Sequence, residues 1–207
     1  MSVTLELLPF CGQWLTFWGG DTLKQNYHHD IISQKYAFDF IMIDKNKQWF
    51  RIDGKICEDY FSFGQNIVAP ADGIAIEVVE GLRDNMPGET NDFNSIGNYI
   101  MLKHDSKTYS LLCHLKQNST LIKVNQKVKT GEKLAQCGNS GNSSAPHLHF
   151  QVQNSPVFAK FDQDYNRINI AKGRKVTFQT IQVQAIDKFV IQNNYSPVKG
   201  DVVCNIK

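Results

Sequence analysis

The chain has 207 residues, of which 42% are hydrophobic, 20% charged and 11% aromatic, and its formal net charge is +2. That length suits one domain of about 150 residues with an appended subdomain, and the composition excludes a disordered chain. The near-neutral charge argues against a dedicated nucleic-acid binder, and no apolar run approaches the ~20 residues of a membrane span.

A secretory signal needs a positive start and an unbroken apolar run. Here the first lysine is Lys24, and the stretch Leu5 to Phe10 is interrupted by Glu6 and Pro9. The sequence as it stands is expected to carry no signal peptide. That leaves open a cytosolic chain, another route of export, or a leader that the sequence lacks. Trp14 to Trp18 is rich in aromatics and reads as core packing or as a groove wall. Tyr36 to Ile43 is an apolar run and a candidate buried strand. Ala69-Pro70-Ala71-Asp72-Gly73 is a turn, followed by the alternation of Ile74, Ile76 and Val78.

Glu80 to Ser95 is rich in Gly, Asn, Asp and Pro and reads as a long loop, functional or mobile. Asn98 to His104 and Thr108 to His114 are strands around the turn Asp105-Ser106-Lys107. Val124 to Leu134 carries Val-x-x-Gly turn chemistry at Val128 and Gly131, His147 to Gln153 alternates, and Lys175 to Ile191 supplies two or three late strands. No segment sustains a 3.6-residue apolar period with caps at both ends. The fold class is mostly β, expected as antiparallel sheets. An N-terminal segment 1–25, a core 26–153 and a C-terminal β extension 154–207 pack as one domain.

Five cysteines include no C-x-x-C pair, so any metal must rely on other ligands, and most of the thiols are expected in the core. Six histidines carry more information. In Pro146-His147-Leu148-His149-Phe150 the two imidazoles stand at i and i+2 and share one face of a strand. Such pairs also line ordinary solvated faces. The Gly138-Asn139-Ser140-Gly141-Asn142-Ser143-Ser144 loop directly before them can set the strand edge beside a cleft.

This loop with Ala-Pro-His-Leu-His-Phe closely resembles the signature of the lysostaphin-type (LytM-like) zinc endopeptidases. Val68 to Gly73, Gly97 to His104, Leu111-Leu112-Cys113-His114-Leu115 and Val124 to Gly131 match further segments of that family, in order. The similarity covers roughly residues 26 to 153. It implies a lysostaphin-like duplicated-hybrid-motif, or barrel-sandwich, architecture with long loops around a groove. It implies that His149 and Asp39 are zinc ligands, and that His114 and His147 are unligated histidines flanking the catalytic water. The residues support Asp39 independently, since an acid inside the apolar run Tyr36-Ala37-Phe38-Asp39-Phe40 is costly unless paired or metal-bound. The commonest form of the family has a histidine four residues before the aspartate, where this chain has Lys35, a poor zinc ligand. A branch with Asn-Tyr-His upstream resembles Asn26-Tyr27-His28, so His28 is the expected third ligand, with His29 in reserve. His104 is expected to be structural. Cys11 and Asn26 are candidates to plug the metal in a latent form.

Two imidazoles and a carboxylate leave one zinc coordination position open, the pattern of a catalytic site. The implied activity is a zinc-dependent metallopeptidase, a hydrolase that cleaves peptide bonds with a metal-activated water, His114 or His147 moving the proton. The implied substrate is a stem or cross-link peptide of peptidoglycan, and the implied place is the cell envelope or outside the cell, with the cytoplasm left open by the missing leader. Three other readings compete. A non-catalytic LytM-like binding or regulatory module is favoured only by Lys35. A two-histidine phosphocarrier needs neither Asp39 nor His28. A lipoyl-type carrier leaves the histidines unexplained.

Overall fold

The computed structural model describes residues 2–161, 163 and 167–206. The first strands are β1 (Val3–Leu5), β2 (Trp14–Trp18), β3 (Phe38–Ile41), β4 (Asn66–Val68) and β5 (Gly73–Val79). They are followed by β6 (Asn98–Asp105), β7 (Thr108–Leu115), β8 (Lys127–Val128), β9 (Lys133–Gln136) and β10 (Leu148–Gln153). The last five are β11 (Ala159–Phe161), β12 (Arg167–Asn169), β13 (Val176–Ala185), β14 (Lys188–Tyr195) and β15 (Val202–Asn205). Helical structure among the described residues is confined to three short 3-10 turns, at Tyr27–Asp30, Cys57–Asp59 and Asp92–Asn94. The fold is mostly β, and among the described residues no helix is long and apolar enough to cross a membrane.

Eleven strands form one sheet in the order β1-β13-β15-β2-β3-β10-β7-β6-β5-β8, with β14 on β13. Its pairings are antiparallel apart from β1 with β13. Both chain ends thus enter the sheet that holds the central strands. Asn205 fastens them, its Oδ1 accepting from Leu8 N at 2.8 Å and its Nδ2 donating to the carbonyls of Leu8 (3.1 Å) and Phe10 (2.9 Å). The tip of the β6–β7 hairpin is an Asx turn: Asp105 accepts from Lys107 N at 2.7 Å and from Thr108 Oγ1 at 2.8 Å.

The main core lies under one face of this sheet and includes Phe10, Trp14, Phe38, Phe40, Phe150 and Phe178. Phe10 stacks on Trp14 and meets Phe40 edge-on, both at 4.9 Å between centroids. Burying each such ring contributes about 1.5–3 kcal/mol. Trp14 is therefore a core residue and not a groove wall. Strands β3, β10 and β7 are buried along their whole length, so their second face is covered too. That second face holds the histidines.

Candidate metal centre

Alternation places the first two side chains. In β3, Phe38 and Phe40 enter the core, which turns Asp39 to the opposite face. In β10, Leu148, Phe150 and Val152 enter the core, which turns His149, Gln151 and Gln153 the same way. The antiparallel register sets His149 directly opposite Asp39, and on its other side opposite Cys113. His149 Nδ1 lies 2.9 Å from Asp39 Oδ1, and its Nε2 donates to Gln151 Oε1 at 3.0 Å.

Strict alternation in β7 would bury His114 in the core beside Leu112. Instead the core takes Leu112 and Leu115, three residues apart, and the β6–β7 register slips between Asn98 and Ile100. His114 sits at this bulge with φ +59°, a left-handed backbone that is rare for a non-glycine residue. The rotation brings His114 to the face of His149, with ring centroids 5.9 Å apart. It is held by His114 N donating to Ile96 O (3.3 Å) and by Gly138 N donating to His114 O (3.0 Å). Strain of this kind, kept by its surroundings, concentrates at functional sites.

His28 arrives from a loop that Asn26 ties shut. The fully buried Asn26 caps the first 3-10 turn, its Oδ1 accepting from His28 N at 3.1 Å. Its Nδ2 faces the carbonyls of Ala37 (3.0 Å), Lys35 (3.3 Å) and Gly20 (3.3 Å). The closure sets His28 Nε2 at 3.1 Å from Asp39 Oδ2. His29, one residue on, turns outward to Asp30 Oδ1 at 2.9 Å. Asn26 is thus spent on backbone groups and cannot plug the centre, and Cys11 is exposed. Lys35 gives only its carbonyl to this knot, and its ammonium lies 5.9 Å over the Tyr36 ring.

His147 closes the cluster, its Nε2 3.7 Å from Asp39 Oδ1 and its ring 4.8 Å from that of His114. Its Nδ1 donates to Ala145 O (2.9 Å), with Ser143 Oγ at 3.1 Å. His114 Nδ1 likewise donates to Ser140 O at 2.8 Å. With Nδ1 donating in each, the neutral form of either ring keeps its lone pair on Nε2. The loop before His147 is braced by the segment 80–95. Asn139 N donates to Asp84 Oδ1 (2.6 Å), and Asn85 Nδ2 donates to the carbonyls of Gly141 (2.6 Å) and Ser143 (3.1 Å). Segment 80–95 is thus a pinned buttress. His104 stands apart, bonded to Asp72 O and Ser110 Oγ at 2.8 Å each.

Burial pushes the Asp39 carboxyl up, but the His147 and His28 imidazoles and hydrogen bonds from His149 and His28 win, leaving it well below the usual carboxylate range. Burial lowers His28, and Asp39 recovers only part of that shift. Burial lowers His149 too, but its bond to Asp39 raises it overall. His114 is held well below the usual imidazole range by burial, then by His147 and His149. The Tyr27 hydroxyl is pushed up by burial and by Asp39.

His28, Asp39 and His149 offer ligand atoms within 4.8 Å of one another, all three side chains buried. Among the described residues the ion-pair partners of Asp39 are imidazoles alone. A buried carboxylate without a fixed cation, facing two imidazole nitrogens, suits a divalent ion with nitrogen and oxygen ligands. His28 Nδ1 is buried without a partner. A cleft of about 360 Å³ opens beside Asp39 and His147, walled by Phe17, Trp18, Tyr27 and Trp49. A second, of about 330 Å³, opens beside His28, His114 and His149. Tyr27 and Asn142 line both. Sequence reasoning passed over Tyr27 as a lining residue, Asn26 as the knot, and Gln151. Period-two spacing after His149 was the available signal for Gln151.

Residues 59–162 match the description of peptidase family M23. The stretch includes His114, His147 and His149, while His28 and Asp39 lie before it. The chain is 42% identical over 110 residues to the peptidoglycan DD-endopeptidase ShyB of Vibrio cholerae, covering 51% of this chain and 24% of that protein. It is 34% identical over 92 residues to the murein hydrolase activator NlpD of Escherichia coli, covering 44% of this chain and 21% of that one. The chain thus spans about a quarter or less of the length of these relatives. The catalytic domain of lysostaphin from Staphylococcus simulans aligns with a TM-score of 0.39 at 20% identity, over 77% of this chain and 88% of that one.

Proposed function

The chain belongs to peptidase family M23, and from that premise we propose that it is a zinc-dependent endopeptidase acting on the peptides of peptidoglycan. The observation that carries the reading is the convergence of His28, Asp39 and His149 on one buried point, with two further histidines aimed at it. His28 Nε2, an Asp39 oxygen and His149 Nδ1 would hold the ion. When bound there, zinc supplies Lewis acidity to a peptide carbonyl and lowers the pKa of the hydrolytic water.

The remaining chemistry belongs to the chain. His147 faces the aromatic cleft, and the bond from its Nδ1 to Ala145 O leaves Nε2 free to accept the water's proton and pass it to the leaving amine. His114 is buried and held neutral, so its Nε2 serves as a hydrogen-bond acceptor that orients the same water. The two clefts meeting at Tyr27 leave room for peptide on both sides of the scissile bond. The peptidoglycan substrate rests on ShyB and on the family.

A second reading, a non-catalytic binding or activating module, is favoured by the likeness to the murein hydrolase activator NlpD. A complete set of His28, Asp39, His149, His114 and His147 has no use in such a module. A phosphocarrier is disfavoured because Asp39 would repel a phosphoryl group on its neighbouring imidazoles. The test is zinc stoichiometry together with release of peptides from purified cell wall. Wild type and His29→Ala should bind one zinc per chain and cleave, while His28→Ala should do neither. Stoichiometric zinc without cleavage would favour the module, and a wild type without zinc would overturn the proposal.

A further inference from the structure

We infer that Gln151 is a positioning residue that dictates which nitrogen His149 offers to the metal, an inference that rests on the zinc reading of the same site. Gln151 and Gln153 are buried, 1% and 0% exposed, on the face of β10 that carries His149. Most polar side chains sealed from water are hydrogen-bonded, and here the bonds form a directed chain. His149 Nε2 donates to Gln151 Oε1 at 3.0 Å. Gln151 Nε2 donates to Ser33 O at 3.1 Å and to Gln153 Oε1 at 2.6 Å. Gln153 Nε2 donates in turn to Ser155 O at 2.8 Å.

The direction of this chain is forced. Both hydrogens of the Gln151 amide face acceptors, one of them the fixed carbonyl of Ser33. Turning the amide over would set Oε1 against Ser33 O. Gln151 therefore shows His149 only an acceptor, so the proton of the neutral imidazole resides on Nε2 and the lone pair on Nδ1. Nδ1 is the nitrogen beside Asp39. The bond to Ser33 O does a second thing: it ties β10 to the loop that descends from His28, so one side chain braces both imidazole arms.

Two substitutions separate these roles. Gln151→Met keeps the volume and removes acceptor and donors alike. Gln151→Glu keeps an acceptor for His149 Nε2 but loses the donations to Ser33 and Gln153. Zinc affinity is measured by competition with a chromophoric chelator on zinc-free protein, alongside its thermal unfolding. Gln151→Met should weaken zinc about 10- to 100-fold, and Gln151→Glu should stay within about threefold of wild type. Gln153→Met, which removes the outer acceptor that orients Gln151 together with the donation to Ser155 O but leaves Gln151 itself in place, should show a smaller loss and serves if Gln151→Met does not fold. Equal losses in Gln151→Met and Gln151→Glu would assign the effect to the Ser33 tether and overturn the acceptor role. Wild-type affinity in Gln151→Met, or in Gln153→Met where that variant stands in for it, would overturn the inference alone. A wild type that takes up no zinc would overturn the zinc reading and this inference with it.

Discussion

Replacing Asn26 with alanine tests whether the loop that delivers His28 is held by one side chain. The amide has two hydrogens and a usable oxygen lone pair, so of its four contacts at most three are full hydrogen bonds at once: His28 N to Oδ1, and two of the carbonyls of Ala37, Lys35 and Gly20 from Nδ2. At roughly 0.5–1.5 kcal/mol each, with buried groups left unpaired, the loss comes to about 3 kcal/mol. In a chain of this length that lowers the midpoint of thermal unfolding by about 6 to 12 °C. Zinc affinity should fall as well, since the turn carrying His28 loses its cap and its closure together. The control is Asn205→Ala, which also deletes three bonds to backbone, at the junction of the chain ends. It should lower the midpoint while leaving zinc affinity at the wild-type value. The reasoning is refuted if Asn26→Ala binds zinc normally, or if Asn205→Ala weakens zinc as much.

Asp39→Ala should lose zinc outright, as measured by elemental analysis, because one of three protein ligands is gone and the remaining imidazoles share no counter-charge. His147→Ala should retain zinc and lose turnover by about 10²- to 10⁴-fold; near-normal kcat would remove it from proton transfer. In the zinc-free protein His149 holds its proton to a higher pH than a free imidazole because of Asp39, and zinc must displace that proton. Log affinity should therefore rise by about one per pH unit up to the raised pKa and then level off; affinity independent of pH from 5 to 8 would contradict the geometry. Gly97→Ala should destabilise the protein by more than about 2 kcal/mol in urea unfolding, since at φ +72° its Cβ would stand 2.3 Å from Ser140 O.

How much of the site was legible follows from how each side chain is aimed. Asp39 and His149 obey period two: an apolar residue on either side sends each to the face away from the core, and that can be read from Phe-Asp-Phe and Leu-His-Phe. His114 breaks the rule. Alternation alone would send it into the core with Leu112, and only the bulge held by Ile96 and Gly138 turns it out. Both partners are distant in sequence, so no local pattern announces them; the resemblance to a family supplied His114 where periodicity could not. Strands β1, β2 and β15 carry no local alternation of their own to mark them, for a related reason. They are three to five residues long, and their pairings, such as Val3 with Val176 and Val203 with Trp14, join opposite ends of the chain.

The choice between His28 and His29 shows what local structure adds to composition. Neighbouring residues in a 3-10 turn project about 120° apart, so only one of the two can face Asp39, and the turn's phase decides which. That phase is set by the cap: Asn26 Oδ1 on His28 N fixes where the turn begins, and the carbonyls gathered by Nδ2 fix where the loop returns to β3. The same logic explains why Lys35 need not be a ligand. Its position in the loop is occupied by backbone bonded to Asn26, and the imidazole that the centre requires enters seven residues earlier. A ligand set can thus be completed from a different point in the chain when the intervening loop closes on itself, provided the knot that closes it is buried. In this protein it is, with Asn26 fully sealed from solvent.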